Sequence, residues 1–183
     1  EEGFEYEIDN QYILSPKDLC TIKFLDKIIE SGVSILKIEG RGRSPEYVKT
    51  VVECYRTAIT HIKNNSYTED IKNSLYNKLE NVYNRGFWDG YYFGAKIPEI
   101  TNKYGSLSKK TKIYIGKVTN YFDKIKVAEI KVENDKIEIG NDIIVIGNKT
   151  GVEEMKITEI RVNLINTEKA IKGDTCSIPS NVT

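Results

Sequence analysis

The chain changes its rhythm of apolar and polar positions once, near residue 105, and the two rhythms predict two kinds of structure. From residue 11 to 63 the helical period of about 3.6 alternates with short extended runs, which reads as a βαβα unit of a parallel sheet. Residues 11–14 suit a short strand. Ser15-Pro16-Lys17-Asp18 then offers an N-cap, a first-turn proline and an acid, predicting a helix with Leu19, Ile22, Leu25, Ile28 and Ile29 on one face and Gly32 as its stop. Residues 33–38, Val-Ser-Ile-Leu-Lys-Ile, read as a strand buried on both faces. A second helix opens at Pro45 with Val48, Val51, Val52, Tyr55, Ile59 and Ile62 along its apolar side, and ends near Asn64-Asn65. A third starts after Thr68, carrying Ile71, Leu75, Leu79 and Val82, and stops before Arg85-Gly86.

Beyond Lys103-Tyr104-Gly105-Ser106 the period becomes two. Short β-rich runs occupy residues 112–118, 125–132, 136–139, 143–146, 155–162 and 175–178, with another at 166–171. Asn134-Asp135 and Asn148-Lys149-Thr150-Gly151 are turn chemistry between them. The expectation is an α/β domain over residues 1–100 followed by an all-β domain over 107–183, the latter a six- or seven-stranded antiparallel barrel. Near the end of the first, residues 85–94 hold five aromatics and three glycines, Arg-Gly-Phe-Trp-Asp-Gly-Tyr-Tyr-Phe-Gly. That cluster reads as an apolar plug or interdomain packing in preference to a base-stacking platform.

Composition narrows the classes. The 183 residues are 39% apolar and 10% aromatic, enough for a folded core. Lys plus Arg and Asp plus Glu both number 27, so any nucleic-acid contact has to be a local patch. No run approaches the roughly 20 apolar residues of a membrane-spanning helix. Cys20, Cys54 and Cys176 lack metal-ligand spacing and suggest reduced thiols in a cytoplasmic protein. The one methionine, Met155, lies deep in the chain, which reads as a fragment or a processed product. His61, the sole histidine, falls near a helix end, and no nucleophile elbow or phosphate-cradling glycine loop is present.

The strongest chemistry lies in Lys37-Ile38-Glu39-Gly40-Arg41-Gly42-Arg43-Ser44-Pro45. Glycines allow a sharp turn, Ser44 is placed to cap the helix that Pro45 opens, and Arg41 and Arg43 stand beside its N-terminus. Phosphate or carboxylate suits such a place. Glu39 is placed to orient an arginine or accept a substrate hydroxyl, and Lys37 to point into a barrel interior. The alternative is a structural brace in which the arginines pair with Glu39, Glu46 or other acids.

Several motifs occur in order: Tyr12-Ile13-Leu14-Ser15-Pro16-Lys17-Asp18-Leu19, Lys37-Ile38-Glu39-Gly40-Arg41, Ser44-Pro45-Glu46-Tyr47-Val48 and Arg85-Gly86-Phe87. Together they resemble the C-terminal part of the collagenase-like peptidases, family 32 of the peptidases of unassigned type, and the following β-rich region resembles the C-terminal barrel of many members. The resemblance implies a longer parent with an N-terminal TIM-like α/β barrel of which this chain holds the last βαβα portion. It implies an enzyme in the parent, either a hydroxylation protein acting on tRNA or other RNA, or a protease, with this chain inactive alone. The RNA-directed members bring prephenate and an iron–sulfur cluster into view. No metal ligand or catalytic residue carries over to this chain, and prephenate, a dicarboxylate, would suit Arg41 and Arg43. A non-catalytic RNA- or protein-binding module is the third alternative.

Overall fold

The computed structural model describes Tyr12 and residues 14–181, and these form two compact units, Glu1–Thr111 and Lys112–Thr183. The architecture is mixed α/β with mostly antiparallel sheets. No helix among the described residues is long and apolar enough to cross a membrane.

In the first unit, β1 (Asp18–Leu19) is followed by a 3-10 turn at Ile22–Phe24, α1 (Leu25–Glu30), α2 (Pro45–Lys63), α3 (Glu69–Leu79) and β2 (Phe87–Trp88). β1 and β2 pair in parallel, Asp18 opposite Phe87 and Leu19 opposite Trp88. Leu19 is 53% exposed, whereas much of the expected apolar surface meets in one core, where Ile22, Leu25, Val51, Leu75 and Leu79 are joined by Cys54 and Ala58. Each such aliphatic side chain contributes about 1.5–3 kcal/mol by leaving water. Lys72 is also buried, its ammonium 2.9 Å from Asp26 Oδ2 and 3.1 Å from Glu69 Oε1.

Two expectations for this unit need correction. The first helix does not begin at Ser15-Pro16, because that backbone is engaged elsewhere. The Lys17, Asp18 and Cys20 N–H groups donate to the carbonyls of Glu99, Gly86 and Trp88, so residues 16–20 lie extended. Helical structure starts only after Thr21. The strand expected at 11–14 lies in part outside the described residues. Residues 33–38 join no ladder among the described residues, and they are not buried on both faces. Leu36 and Ile38 pack on the helical core, whereas Val33 is 43% and Ile35 85% exposed. Lys37 is exposed too.

The second unit contains β3 (Gly116–Phe122), β4 (Val127–Val132), β5 (Lys136–Glu138), β6 (Asp142–Gly147), β7 (Gly151–Lys156), β8 (Ile160–Val162), β9 (Ile165–Thr167), β10 (Lys169–Ile171) and β11 (Thr175–Pro179). The main sheet has the order β3-β4-β11-β8-β9, all antiparallel, and β6-β7 and β5-β10 form separate antiparallel pairs. Strict alternation on β4 sends Ala128, Ile130 and Val132 inward to meet Ile137, Ile157, Ile160, Ala170, Cys176 and Ile178. Most of the expected runs become strands, but bounds shift: residues 112–115 join no ladder among the described residues, β3 runs on to Phe122, and β7 begins at Gly151. Residues 155–162 divide into the end of β7 and β8, and 166–171 divide into β9 and β10. The ladders among the described residues are one five-stranded sheet and two separate pairs.

Candidate anion-binding site

The turn between residues 39 and 45 is built by short-range bonds. The Arg43 N–H donates to the Gly40 carbonyl at 3.0 Å, and the Arg41 N–H donates to Glu39 Oε1 at 3.0 Å. Gly42 carries φ of +68°, a conformation that favours glycine. The chain then enters α2, whose first helical residue is Pro45. Ser44 occupies the N-cap position with extended backbone, but its side chain makes no capping bond, contrary to the sequence expectation.

The two arginines part ways. Arg43 turns back over the unit and donates from Nη2 to Asp18 Oδ1 at 3.2 Å, its guanidinium lying 4.2 Å from the Tyr83 ring centroid and 5.3 Å from that of Tyr47. Arg85 reaches the same carboxylate from the other side. Its Nη2 and Nε donate to Asp18 Oδ1 at 3.0 and 3.3 Å, and its backbone N–H donates to Oδ2 at 2.9 Å. The Asp18 side chain is 15% exposed. The brace weighed from the sequence therefore holds for Arg43, with Asp18 as its partner in place of Glu39 or Glu46. Burial pushes the Tyr47 phenol above its ordinary pKa, against the lowering pull of Arg43.

Arg41 remains exposed beside this brace and makes no side-chain ion pair among the described residues. Lys37 and Glu39 are exposed as well. The sequence reading missed Asp18 and Arg85 as partners. Arg85-Gly86-Phe87 is a visible motif, whereas Asp18 reads locally as the first-turn acid of a helix.

Nothing resembling a nucleophile–base pair gathers here. His61 Nδ1 is 2.9 Å from Ser66 Oγ at the far end of α2. Burial pushes the thiols of Cys20, Cys54 and Cys176 up to about 11 each. Cys20 and Cys54 lie in the helical core and Cys176 in the β-rich one. Among the described residues no group of three or more His, Cys, Asp or Glu side chains could hold a metal ion.

Comparison with known proteins supplies the context for these residues. The family model for peptidase family U32 matches residues 1–102. A protein of Porphyromonas gingivalis named collagenase is 48% identical over 98% of this chain, which corresponds to 43% of that protein. An uncharacterized protease of Methanocaldococcus jannaschii is 35% identical over 97% of this chain and 44% of its own length. The tRNA hydroxylation protein P1 of Bacillus subtilis is 34% identical over 70% of this chain and 30% of its own length. The chain thus spans less than half the length of each of these three relatives. Among solved structures, the C-terminal domain of a Geobacillus thermoleovorans protein described as a U32 peptidase aligns over 38% of this chain and 87% of its own, with a TM-score of 0.37 and 14% identity.

Proposed function

Because the chain belongs to peptidase family U32, we propose that it forms the C-terminal part of a cytoplasmic protein that hydroxylates a tRNA base, with Arg41 contributing an anion contact. The observation that carries this reading is the division of labour at the turn. Asp18 fixes Arg43 and Arg85, while Arg41 stays exposed in the turn that leads into the N-terminus of a 19-residue helix. A polyanion meets such a turn with little reorganisation. The same contact would serve a small dicarboxylate such as prephenate. The relatives named tRNA hydroxylation proteins support the RNA reading, since they match this chain from Bacillus subtilis, Haemophilus influenzae and Escherichia coli.

In this reading residues 1–100 supply the closing βαβα portion of a TIM-like barrel. The parallel β1–β2 pair and the unladdered segment 33–38, with its exposed outer side, support that role. Residues 107–183 would add a small antiparallel barrel that helps to hold the RNA. The three cysteines are divided between two apolar cores, with thiols raised by burial, and do not fit the ligand set of an iron–sulfur cluster.

A second reading, a peptidase, is favoured by one specific observation. The Porphyromonas gingivalis relatives named collagenase match 98% of the chain at 48% and 47% identity, the β-rich unit included. One experiment separates the two. Nucleoside mass spectrometry of tRNA from a strain lacking the gene should show the loss of one hydroxylated base. Full-length wild-type protein should restore it, and Arg41→Ala should restore it about tenfold less efficiently. An unchanged modification pattern in the deletion strain would overturn the proposal, and gelatin cleavage by the purified full-length protein would establish the peptidase.

A further inference from the structure

Trp88, Tyr91 and Tyr92 form an apolar cleft on the first unit that the anion site does not use. Its volume is about 470 Å³, and Leu19 and Gly90 complete the lining. That lies within the roughly 300–1,000 Å³ of small-ligand clefts. Trp88 and Tyr91 meet edge to face at 5.2 Å between centroids, while Tyr92 and Phe93 lean on the buried ring of Phe24 at 5.4 and 4.9 Å. The outer faces are open: Tyr91 and Tyr92 are each 58% exposed and Phe93 is 61% exposed.

The backbone is bent to shape this cleft. Gly90 sits at φ of +65°, and a Cβ there would lie 2.8 Å from Leu19 Cδ1. Only glycine both adopts this conformation and leaves the floor open. The neighbouring 3-10 turn and α1 bring two exposed lysines against the one exposed acid of the aromatic segment. Lys23 and Lys27 are both exposed and lie four residues apart. Their ammonium groups are 4.2 Å from the Tyr76 centroid and 5.7 Å from that of Phe93, and neither makes an ion pair among the described residues. Asp89 is the exposed acid on the aromatic segment itself. An aliphatic partner would fit the rings but would leave the lysines without a counter-charge. An RNA strand supplies both, a flat π-face for the rings and a phosphate for each ammonium.

We infer that this cleft is a stacking site for an unpaired base of an RNA substrate, with Lys23 and Lys27 holding the flanking phosphates. The inference rests on the RNA reading of the family and adds to it a second contact surface, distinct from Arg41.

The test uses the full-length protein with tRNA and with a short single-stranded oligoribonucleotide, measuring affinity across a salt series. Tyr91→Ala and Tyr92→Ala should each weaken binding about 10–100-fold without changing the salt slope, because stacking is lost and no phosphate contact is. Tyr91→Phe should bind like the wild type. Lys23→Ala with Lys27→Ala should instead flatten the salt dependence. Alanine variants that keep their circular dichroism and bind both RNAs like the wild type would overturn the inference while leaving the hydroxylation reading intact. Protection of Tyr91, Tyr92 and Phe93 from hydroxyl-radical oxidation in RNA-free protein would also overturn it, since the cleft would then be filled by the protein or by a second copy. Salt-independent binding of an apolar peptide in preference to RNA would do the same. The tRNA nucleoside analysis judges the parent reading separately.

Discussion

Replacing Asp18 with asparagine should cost the first unit about 2–4 kcal/mol, although the substitution changes almost no volume. Asp18 Oδ1 accepts from Arg43 Nη2, Arg85 Nη2 and Arg85 Nε, and Oδ2 accepts the Arg85 backbone N–H. Asparagine keeps one oxygen but turns its amide donors toward guanidinium donors, and it removes the charge that neutralises both. Breaking a fully buried pair costs about 3–5 kcal/mol. The arginine side chains are 20% and 32% exposed, so water recovers part of that. Trp88 is the single tryptophan of the chain and lies in this unit, so its fluorescence during guanidinium chloride unfolding reports the relevant transition. The midpoint should fall with an unchanged denaturant slope, and the thermal midpoint should drop by roughly 10–20 °C. A cycle with Arg43→Ala should show a coupling of about 1–2 kcal/mol. A loss below about 0.5 kcal/mol for Asp18→Asn, or strict additivity in the cycle, would refute the account of Asp18 as the brace.

Other outcomes follow from the same structure. Burial lifts the Cys20, Cys54 and Cys176 thiols to about 11, so none should be alkylated by iodoacetamide at pH 8 in the native chain. All three should react once the protein is unfolded, as intact mass would show. Burial raises the Asp26 carboxyl, but the Lys72 hydrogen bond and charge outweigh it and leave its pKa below the ordinary value. Its contribution to stability is therefore present above about pH 4 and lost as pH falls through the lowered folded value. Lys72 is shifted up, first by its hydrogen bond to Asp26 and against burial, so its contribution is present below pH 10.5 and lost as pH rises through the raised value. Lys72→Met should remove both limbs from a pH series of unfolding midpoints. In the β-rich unit, Gly116→Ala would place a Cβ 1.9 Å from the Lys131 carbonyl oxygen. The β3–β4 ladder must part there, and a loss of more than about 2 kcal/mol is expected by thermal unfolding.

What could be seen in advance depended on the range of the forces. α2 and α3 were legible because their burial follows helical spacing, with Val51, Cys54, Ala58, Leu75 and Leu79 on one shared face. The strands of the second unit were legible from alternation, as on β4. Residues 15–20 misled because local signals favour a capped helix, whereas their backbone bonds run to residues 86, 88 and 99. The break between β7 and β8, inside residues 155–162, is hidden for a different reason. The run reads as β-rich throughout, but the Ile157 N–H donates to the Asn141 carbonyl and its own carbonyl accepts from the Gly140 N–H, contacts that local alternation does not show. At the site, Arg41 and Arg43 look equivalent in sequence. Only contacts spanning 25 and 67 residues reveal that Asp18 captures Arg43 and Arg85 and leaves Arg41 exposed.

Those long-range contacts tie the two candidate surfaces to one short ladder. Asp18 and Leu19 are consecutive on β1, so their side chains leave opposite faces of the strand. Asp18 anchors the arginines behind the anion turn, whereas Leu19 lines the aromatic cleft opposite its register partner Trp88. Loosening this two-residue pair would disturb both surfaces at once. A loss of RNA binding in Asp18→Asn therefore cannot distinguish an anion contact from a stacking contact. Arg41→Ala and Tyr91→Ala can, because each side chain stands outside the ladder, and their effects on affinity should add if the two surfaces act independently.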